Sequence, residues 1–497
     1  MSVNPVVIPV AIFLAVLLAI GVWCNRSLRR SKNFQRDYFI ANRSLGGVVL
    51  ALTLVATYGS VSSFVSGPGV AWNVGFGWVV FAAPQIITGF FILGILGKKM
   101  AVLARRTGSL TVIDLIDARY HSKSVAVLLA LVLIIFFTAT VVGQFIGGAQ
   151  IFAAITGYDY KIGLLIFAVV TVIYTSSGFK AVVLTDAVCA ILMLTGMFTL
   201  GWSVLEAGGG LSGIMQTLSQ TNLGDDGISN LFKPDAGGSL PYTLLFSAWL
   251  LVGFCTLGLP QSMVRCMSYK SSRNLSTAMI VATVVCGALM IGMTLLGVLS
   301  RGVILDKPAN GTDAVIPLLI VNYMSPVMAG ITIIGPLAAT MSTVSSLLIS
   351  AASAVARDLV RQVRGDAYLS SMAPAASRHF AIGVTLVLGA VSILLALYPQ
   401  DIVVWVNMFA FGGLESAFMW PVVLGLFWSG MNARGALWGI VAGLGLYTLC
   451  MATGFKFMAF HNIIIGTAAG LVFSVIGAKL GQQPSQQIKE IFFPEKI

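Results

Sequence analysis

The sequence predicts an all-α membrane protein of about 13 transmembrane helices, two of them broken at matching positions of an inverted repeat. Three observations carry this. First, 58% of the 497 residues are hydrophobic and only 9% are charged, whereas a soluble domain carries roughly 25% charged residues. Such a chain cannot cover a water-facing surface, so most of its solvent is lipid. Second, the apolar residues fall into runs of the ~20 residues that span a bilayer. Third, Lys and Arg punctuate these runs and gather at alternate breaks.

Dividing the chain at charged or Gly/Pro-rich breaks places spans at 5–24, 44–70, 77–97, 125–155, 160–178, 183–206, 241–262, 275–300, 325–354, 380–397, 402–428, 435–454 and 460–480. The first run is followed, not preceded, by Arg26, Arg29 and Arg30. A cleaved signal peptide has the opposite order, so this run reads as a first spanning helix with its N-terminus outside. With that start, 24 of the 29 Lys and Arg residues lie on the inner side, Arg119 and Arg265 among them. The outer side receives Lys161, Lys233, Arg301, Lys307 and Lys456. Missing one span would invert every later loop and spoil this positive-inside bias.

The expected organisation is a first helix and basic loop (1–43), a first repeat of five spans (44–206), an outer loop (207–240) with Asp225, Asp226 and Asp235, a second repeat (241–428), and two last spans with a short tail (429–497). Residues 314–323 are apolar but short, and predict an outer interfacial or re-entrant helix.

Composition also excludes classes of function. The net charge of +12 is spread over loops and not gathered into the patch of a nucleic-acid binder. The six cysteines form no Cys-x-x-Cys pair, and the three histidines lie far apart. No metal cluster, nucleophile–base spacing or cofactor loop is visible, so an enzyme is not expected.

Span two reads Thr57-Tyr58-Gly59-Ser60-Val61-Ser62-Ser63 and continues to Gly67-Pro68-Gly69; span seven carries Gly253, Gly258 and Pro260. Either alone could be a simple kink. They lie five spans apart, however, and an odd repeat length inverts the second unit in the membrane. Paired broken helices in an inverted repeat point to a binding site at the midplane. Span nine adds Ser342, Ser346, Ser350 and Ser353 on one helical face. Small hydroxyl residues serve close helix packing, but Ser342 and Thr343 together also offer two oxygen ligands to a hard cation such as sodium. Carbonyls freed at the break of span two could supply the others.

The stretch Ala339-Thr340-Met341-Ser342-Thr343 resembles the sodium-binding helix of the sodium/solute symporter family. Residues Tyr174 to Val183, ending in Thr185-Asp186, resemble that family's entry into span six, and the likeness runs from about Asp37 to Trp428. Gln144 to Ala149, Val264 to Lys270, and Phe411 to Glu415 with Trp420-Pro421 look most like its pantothenate branch. The resemblance implies a leucine-transporter-like 5+5 inverted-repeat fold and sodium-coupled uptake of pantothenate by alternating access. Proline, another carboxylate or a sugar are the alternative solutes. It implies a bacterial inner-membrane protein whose partners are sodium, the solute and lipid, with no obligate protein partner.

It also places a sodium site at the carbonyls of Ala56, Gly59 and Ala339 and the hydroxyls of Ser342 and Thr343. Gly59 departs from the larger apolar residue often found there. Asp186 matches an acid that helps sodium leave; its alternative is a solvated residue at a helix start. By family geometry, solute candidates are Ser62, Ser63, Gln85, Gln144, Trp249, Cys255, Thr256, Asn407 and Glu415. An acid inside a span, such as Glu415, is costly and functional by default. It could accept bonds from solute hydroxyls, pair with Arg or Lys, be protonated, or be satisfied by backbone. A channel would need rings of carbonyls or charges, whereas paired broken helices favour a carrier.

Overall fold

The computed structural model describes residues 5–31, 33–220, 231–398 and 403–494. Asp225 and Asp226 of the expected outer loop lie outside them. Ten helices among the described residues are long and apolar enough to cross a membrane, and 12 if each of two bent pairs counts as one. Tyr160–Thr175, with 16 residues, is a shorter apolar helix at the position of span five.

The long spans are Val7–Arg29 (one), Phe76–Thr107 (three), Lys123–Thr156 (four), Phe179–Ala207 (six), Ser272–Ser300 (eight), Pro326–Arg364 (nine), Pro374–Ala396 (ten), Val406–Phe427 (eleven), Ala433–Thr453 (twelve) and Ile463–Leu480 (thirteen). Local chemistry sets several starts. The side chains of Ser122, Ser271 and Asn432 accept bonds from backbone N–H groups of the first turns of spans four, eight and twelve, as capping requires. The short helix expected near 314–323 is Val315–Tyr323, with Val315, Ile316, Leu319 and Ile320 buried.

The bent pairs are spans two and seven. Gly47–Tyr58 and Ser62–Val74 meet at 70°, Tyr242–Gly258 and Pro260–Cys266 at 49°. Gly59 is extended at the first break and Leu259 at the second, where Pro260 opens the next helix. Freed backbone groups in a membrane core must find partners, and they do. The N–H of Val61 donates to Gln144 Oε1 at 3.0 Å. The carbonyl of Val252 accepts from the Tyr58 hydroxyl at 3.0 Å and from Thr88 Oγ1 at 3.2 Å.

Packing follows the repeat. Span two packs on eight, and seven on three; six packs on nine, and eleven on four; two packs on six, and seven on eleven; five packs on nine, and ten on four. Each second contact is the first with every span exchanged for its counterpart, five positions away, in the other repeat. Four and nine cross at the centre, while twelve and thirteen pack on each other and on eleven. Span nine is the most enclosed, with 83% of its apolar window buried. By contrast Phe198, Trp202, Ile280 and Val284 are 65–73% exposed, which suits a lipid-facing surface.

Candidate cation and solute sites

The break in span two lies against span nine. Ala56 is in the last helical turn before the break, so its carbonyl has no partner further along the helix. The Ser342 hydroxyl reaches it at 2.9 Å, and also lies 2.7 Å from Ala338 O and 3.2 Å from Ala339 O. Thr343 Oγ1 lies 2.8 Å from Gly59 O and 2.9 Å from Ala339 O. The five sequence-expected oxygens therefore converge on one place. All five residues sit in the buried core. Neutral hydroxyl and carbonyl oxygens suit a hard, monovalent cation. Each hydroxyl keeps lone pairs beside the hydrogen it donates, so both oxygens can also serve as cation ligands. No group of three or more His, Cys, Asp or Glu residues suited to a heavier metal exists among the described residues.

One turn further along the same two helices is a second polar layer. Asp186 is fully buried in span six. Its Oδ2 accepts from Thr53 Oγ1 at 2.7 Å, Ser346 Oγ at 3.1 Å and Thr57 Oγ1 at 3.4 Å, and its Oδ1 from Ser345 Oγ at 3.4 Å. It forms a salt bridge with Arg265 Nη2 at 2.9 Å, both side chains being 0% exposed. Two expectations change here. Asp186 is not a solvated residue at a helix start. Arg265, counted above among the charges of an inner loop, lies inside the bundle on the second half of span seven, and its guanidinium also reaches Thr53 Oγ1 and Ser346 Oγ. The serine face of span nine divides accordingly. Ser342 and Ser346 reach across to other helices, whereas Ser350 and Ser353 bond carbonyls of their own helix.

On the other side of the break is a partly open cavity. Its polar lining includes Ser60, Ser62, Ser63, Gln85, Thr294 and Asn407; its apolar wall includes Trp78, Phe81, Met290, Met408 and Phe411. Asn407 organises it. Its Nδ2 donates to Ser62 Oγ at 2.9 Å and Ser60 Oγ at 3.1 Å, while its Oδ1 accepts from Gln144 Nε2 at 3.3 Å. Gln144 thus ties the cavity to the broken backbone at Val61. Of the nine solute candidates, Ser62, Ser63, Gln85 and Asn407 line this space and Gln144 supports it.

The other four lie elsewhere. Trp249 is 49% exposed and its indole donates to Val80 O. Thr256 Oγ1 returns to Gly253 O at 2.5 Å, inside its own turn. Cys255 is buried beside it. Glu415 is fully buried, and neither carboxyl oxygen has a hydrogen-bond partner among the described residues. The expected alternatives of pairing with Lys or Arg, or of satisfaction by backbone, are therefore not realised. Sequence reasoning missed the stacked pair of Trp78 and Phe81, 4.2 Å apart, because it searched for polar residues. Their spacing of three on one face of span three was the available signal.

A 5+5 inverted repeat with two broken spans, hydroxyl and carbonyl oxygens gathered at one break and a partly open cavity beside it is the arrangement of a cation-coupled secondary carrier. The comparisons agree. The model of the Sodium:solute symporter family matches residues 38–443. The chain is 38% identical over 485 residues to the sodium/pantothenate symporter of Haemophilus influenzae, covering 96% of this chain and 97% of that one. It is 38% identical over 483 residues to the sodium/pantothenate symporter of Escherichia coli K12, covering 97% and 98%. Its fold matches the substrate-bound, outward-open structure of a Na+-coupled sialic acid symporter with a TM-score of 0.80 at 20% identity, covering 97% of this chain and 99% of that one. The chain belongs to the sodium:solute symporter family. It is a multi-pass membrane transporter with sodium as its coupling ion, and not an enzyme.

Proposed function

We propose that the protein carries pantothenate into a bacterial cell together with sodium, by alternating access around the break of span two. The observation that carries this reading is the 38% identity, over nearly the whole chain, with pantothenate symporters from two organisms. The site is chemically suited to it. Pantothenate has a carboxylate, an amide, two hydroxyls and a branched apolar centre. The cavity offers hydroxyls and carboxamides on one side and aromatic and thioether surface on the other. No Lys or Arg lines the cavity among the described residues, so the carboxylate is held by neutral donors such as Asn407, the serines and Gln85.

Sodium in the five-oxygen cage joins span two to span nine at the floor of this cavity. Ala56 and Gly59 flank the same break that presents Ser60, Ser62 and Ser63 to the solute. Coupling is then local: the cation fixes the shape of the backbone that the solute binds. The charge distribution supports an N-terminus outside and a C-terminus in the cytoplasm, which puts Asp186 and Arg265 on the cytoplasmic side of the cage.

The test is equilibrium binding of radiolabelled pantothenate to the purified protein. Binding should require sodium, fail in potassium, and resist a large excess of proline. Displacement by proline, with weak binding of pantothenate, would make another solute the cargo.

A further inference from the structure

We propose that Arg265 links the sodium site to the inner gate: its guanidinium clamps spans two, six and nine together only while sodium holds spans two and nine in register. This rests on the sodium reading of the five-oxygen cage. The two layers share their helices. Ala56 supplies a cage oxygen, and Thr53 and Thr57 on the same helix form the second layer. Ser342 supplies a cage oxygen, and Ser346, one turn on, belongs to the second layer. Thr57 Oγ1 and Ser346 Oγ are 2.9 Å apart, so spans two and nine touch directly in both layers. Whatever separates Ala56 from Ser342 also separates Thr57 from Ser346.

Arg265, on span seven, closes the second layer. Its Nη2 lies 2.9 Å from Asp186 Oδ2, 2.9 Å from Thr53 Oγ1 and 2.6 Å from Ser346 Oγ. Its Nε lies 3.1 Å from Thr53 Oγ1, and its Nη1 donates to Gln261 O at 2.7 Å. One side chain thereby contacts spans two, six, seven and nine. Breaking the bonds of a buried guanidinium is costly, so losing two hydroxyl partners releases the clamp. With sodium present the hydroxyls of Thr53 and Ser346 are held where Arg265 needs them, and the layer is shut. When the cage opens, Arg265 loses those hydroxyls from one side, and the path beyond Asp186 opens. Arg265 touches neither sodium nor solute; it is a positioning residue that makes gate opening conditional on the cage.

The experiment is pantothenate flux in proteoliposomes, with and without sodium, for the wild type, Arg265→Ala, Arg265→Lys, and Ser342→Ala as a cage control. Wild-type counterflow should need sodium. The gate is read by a single cysteine replacing Ser350, one turn beyond Ser346 on span nine and bonded only to its own helix, in otherwise cysteine-free protein. Sodium should block its labelling in the wild type; in Arg265→Ala the labelling rate in saturating sodium should rise about tenfold, within the 5–150-fold range of typical couplings, and Arg265→Lys should restore most of the protection. Because Arg265→Ala strands Asp186, the double variant Arg265→Ala/Asp186→Asn provides a charge-neutral fold and should lose protection likewise.

Labelling that sodium still blocks in both alanine variants overturns the proposal. If Ser342→Ala shifts the sodium requirement while Arg265→Ala keeps full sodium protection, the clamp fails and the cage stands. If wild-type flux ignores sodium, the cage reading itself falls, and the clamp with it.

Discussion

The hydroxyl of Ser342 lies 2.9 Å from the carbonyl oxygen of Ala56, across 286 residues of sequence. This contact joins the two repeats at the point where span two stops being a helix. The carbonyl is available because Gly59 and Ser60 leave the helical path. The hydroxyl is available because Ser342 sits on the face of span nine turned toward that break.

Replacing Ser342 and Thr343 together by alanine removes two of five oxygens from the cage without adding bulk. The sodium concentration for half-maximal uptake should rise at least tenfold, or ~1.4 kcal/mol, while the maximal rate at saturating sodium changes less. Sodium titration of uptake measures both. An unchanged half-saturation point would place the cation elsewhere.

Asn407 holds Ser60 and Ser62 on one side and Gln144 on the other. Asn407→Ala should raise KM for pantothenate about tenfold, since losing a buried donor leaves its partners unpaired at a cost of ~1–3 kcal/mol. Gln144→Ala, which also strands the N–H of Val61, should alter both KM and the sodium requirement. Uptake kinetics at fixed and varied sodium separate the two effects.

Spans six and nine cross at Gly196 and Gly335. A Cβ on Gly196 would stand 2.8 Å from Gly335 Cα and 3.0 Å from Thr332 O, and small residues are what allow such close crossings in membranes. Gly196→Ala should destabilise the protein by roughly 1–3 kcal/mol, seen as a lower Tm in detergent. Gly445→Ala, with nothing within 4 Å of the added carbon, should leave Tm unchanged.

The helix break and the hydroxyl pair were legible in the sequence because their signals are local: glycine and serine at a break, and adjacent hydroxyls on a helix; the particular carbonyls, of Ala56, Gly59 and Ala339, came from the family resemblance. The broken spans were legible for the same reason, and their spacing of five gave the repeat. Arg265 was not. It reads as a loop charge beside Lys270 and Arg273, and only the fold brings it to Asp186, 79 residues earlier. The solute cavity was half legible. Ser62, Ser63, Gln85 and Asn407 are polar residues in apolar runs, which sequence exposes. Whether Cys255 and Thr256 face the cavity depends on how the tight turn Phe254–Gly258 rotates, and pattern does not encode that rotation.

Orientation follows from charge alone, so it needs its own test. The six cysteines are buried and unpaired, and can be replaced to give a clean background. A single cysteine at Asp235 should react with an impermeant thiol reagent in intact cells, and one at Gln486 only after permeabilisation. The reverse pattern would invert the topology.

In the proposed function a sodium gradient drives pantothenate through this chain. Uptake of radiolabelled pantothenate into proteoliposomes containing the purified protein, under an inward sodium gradient and under an equal potassium gradient, tests this. Transient accumulation above the equilibrium level is expected with sodium, and simple equilibration with potassium. Equal time courses in the two salts, or no uptake above protein-free vesicles in either, would contradict it.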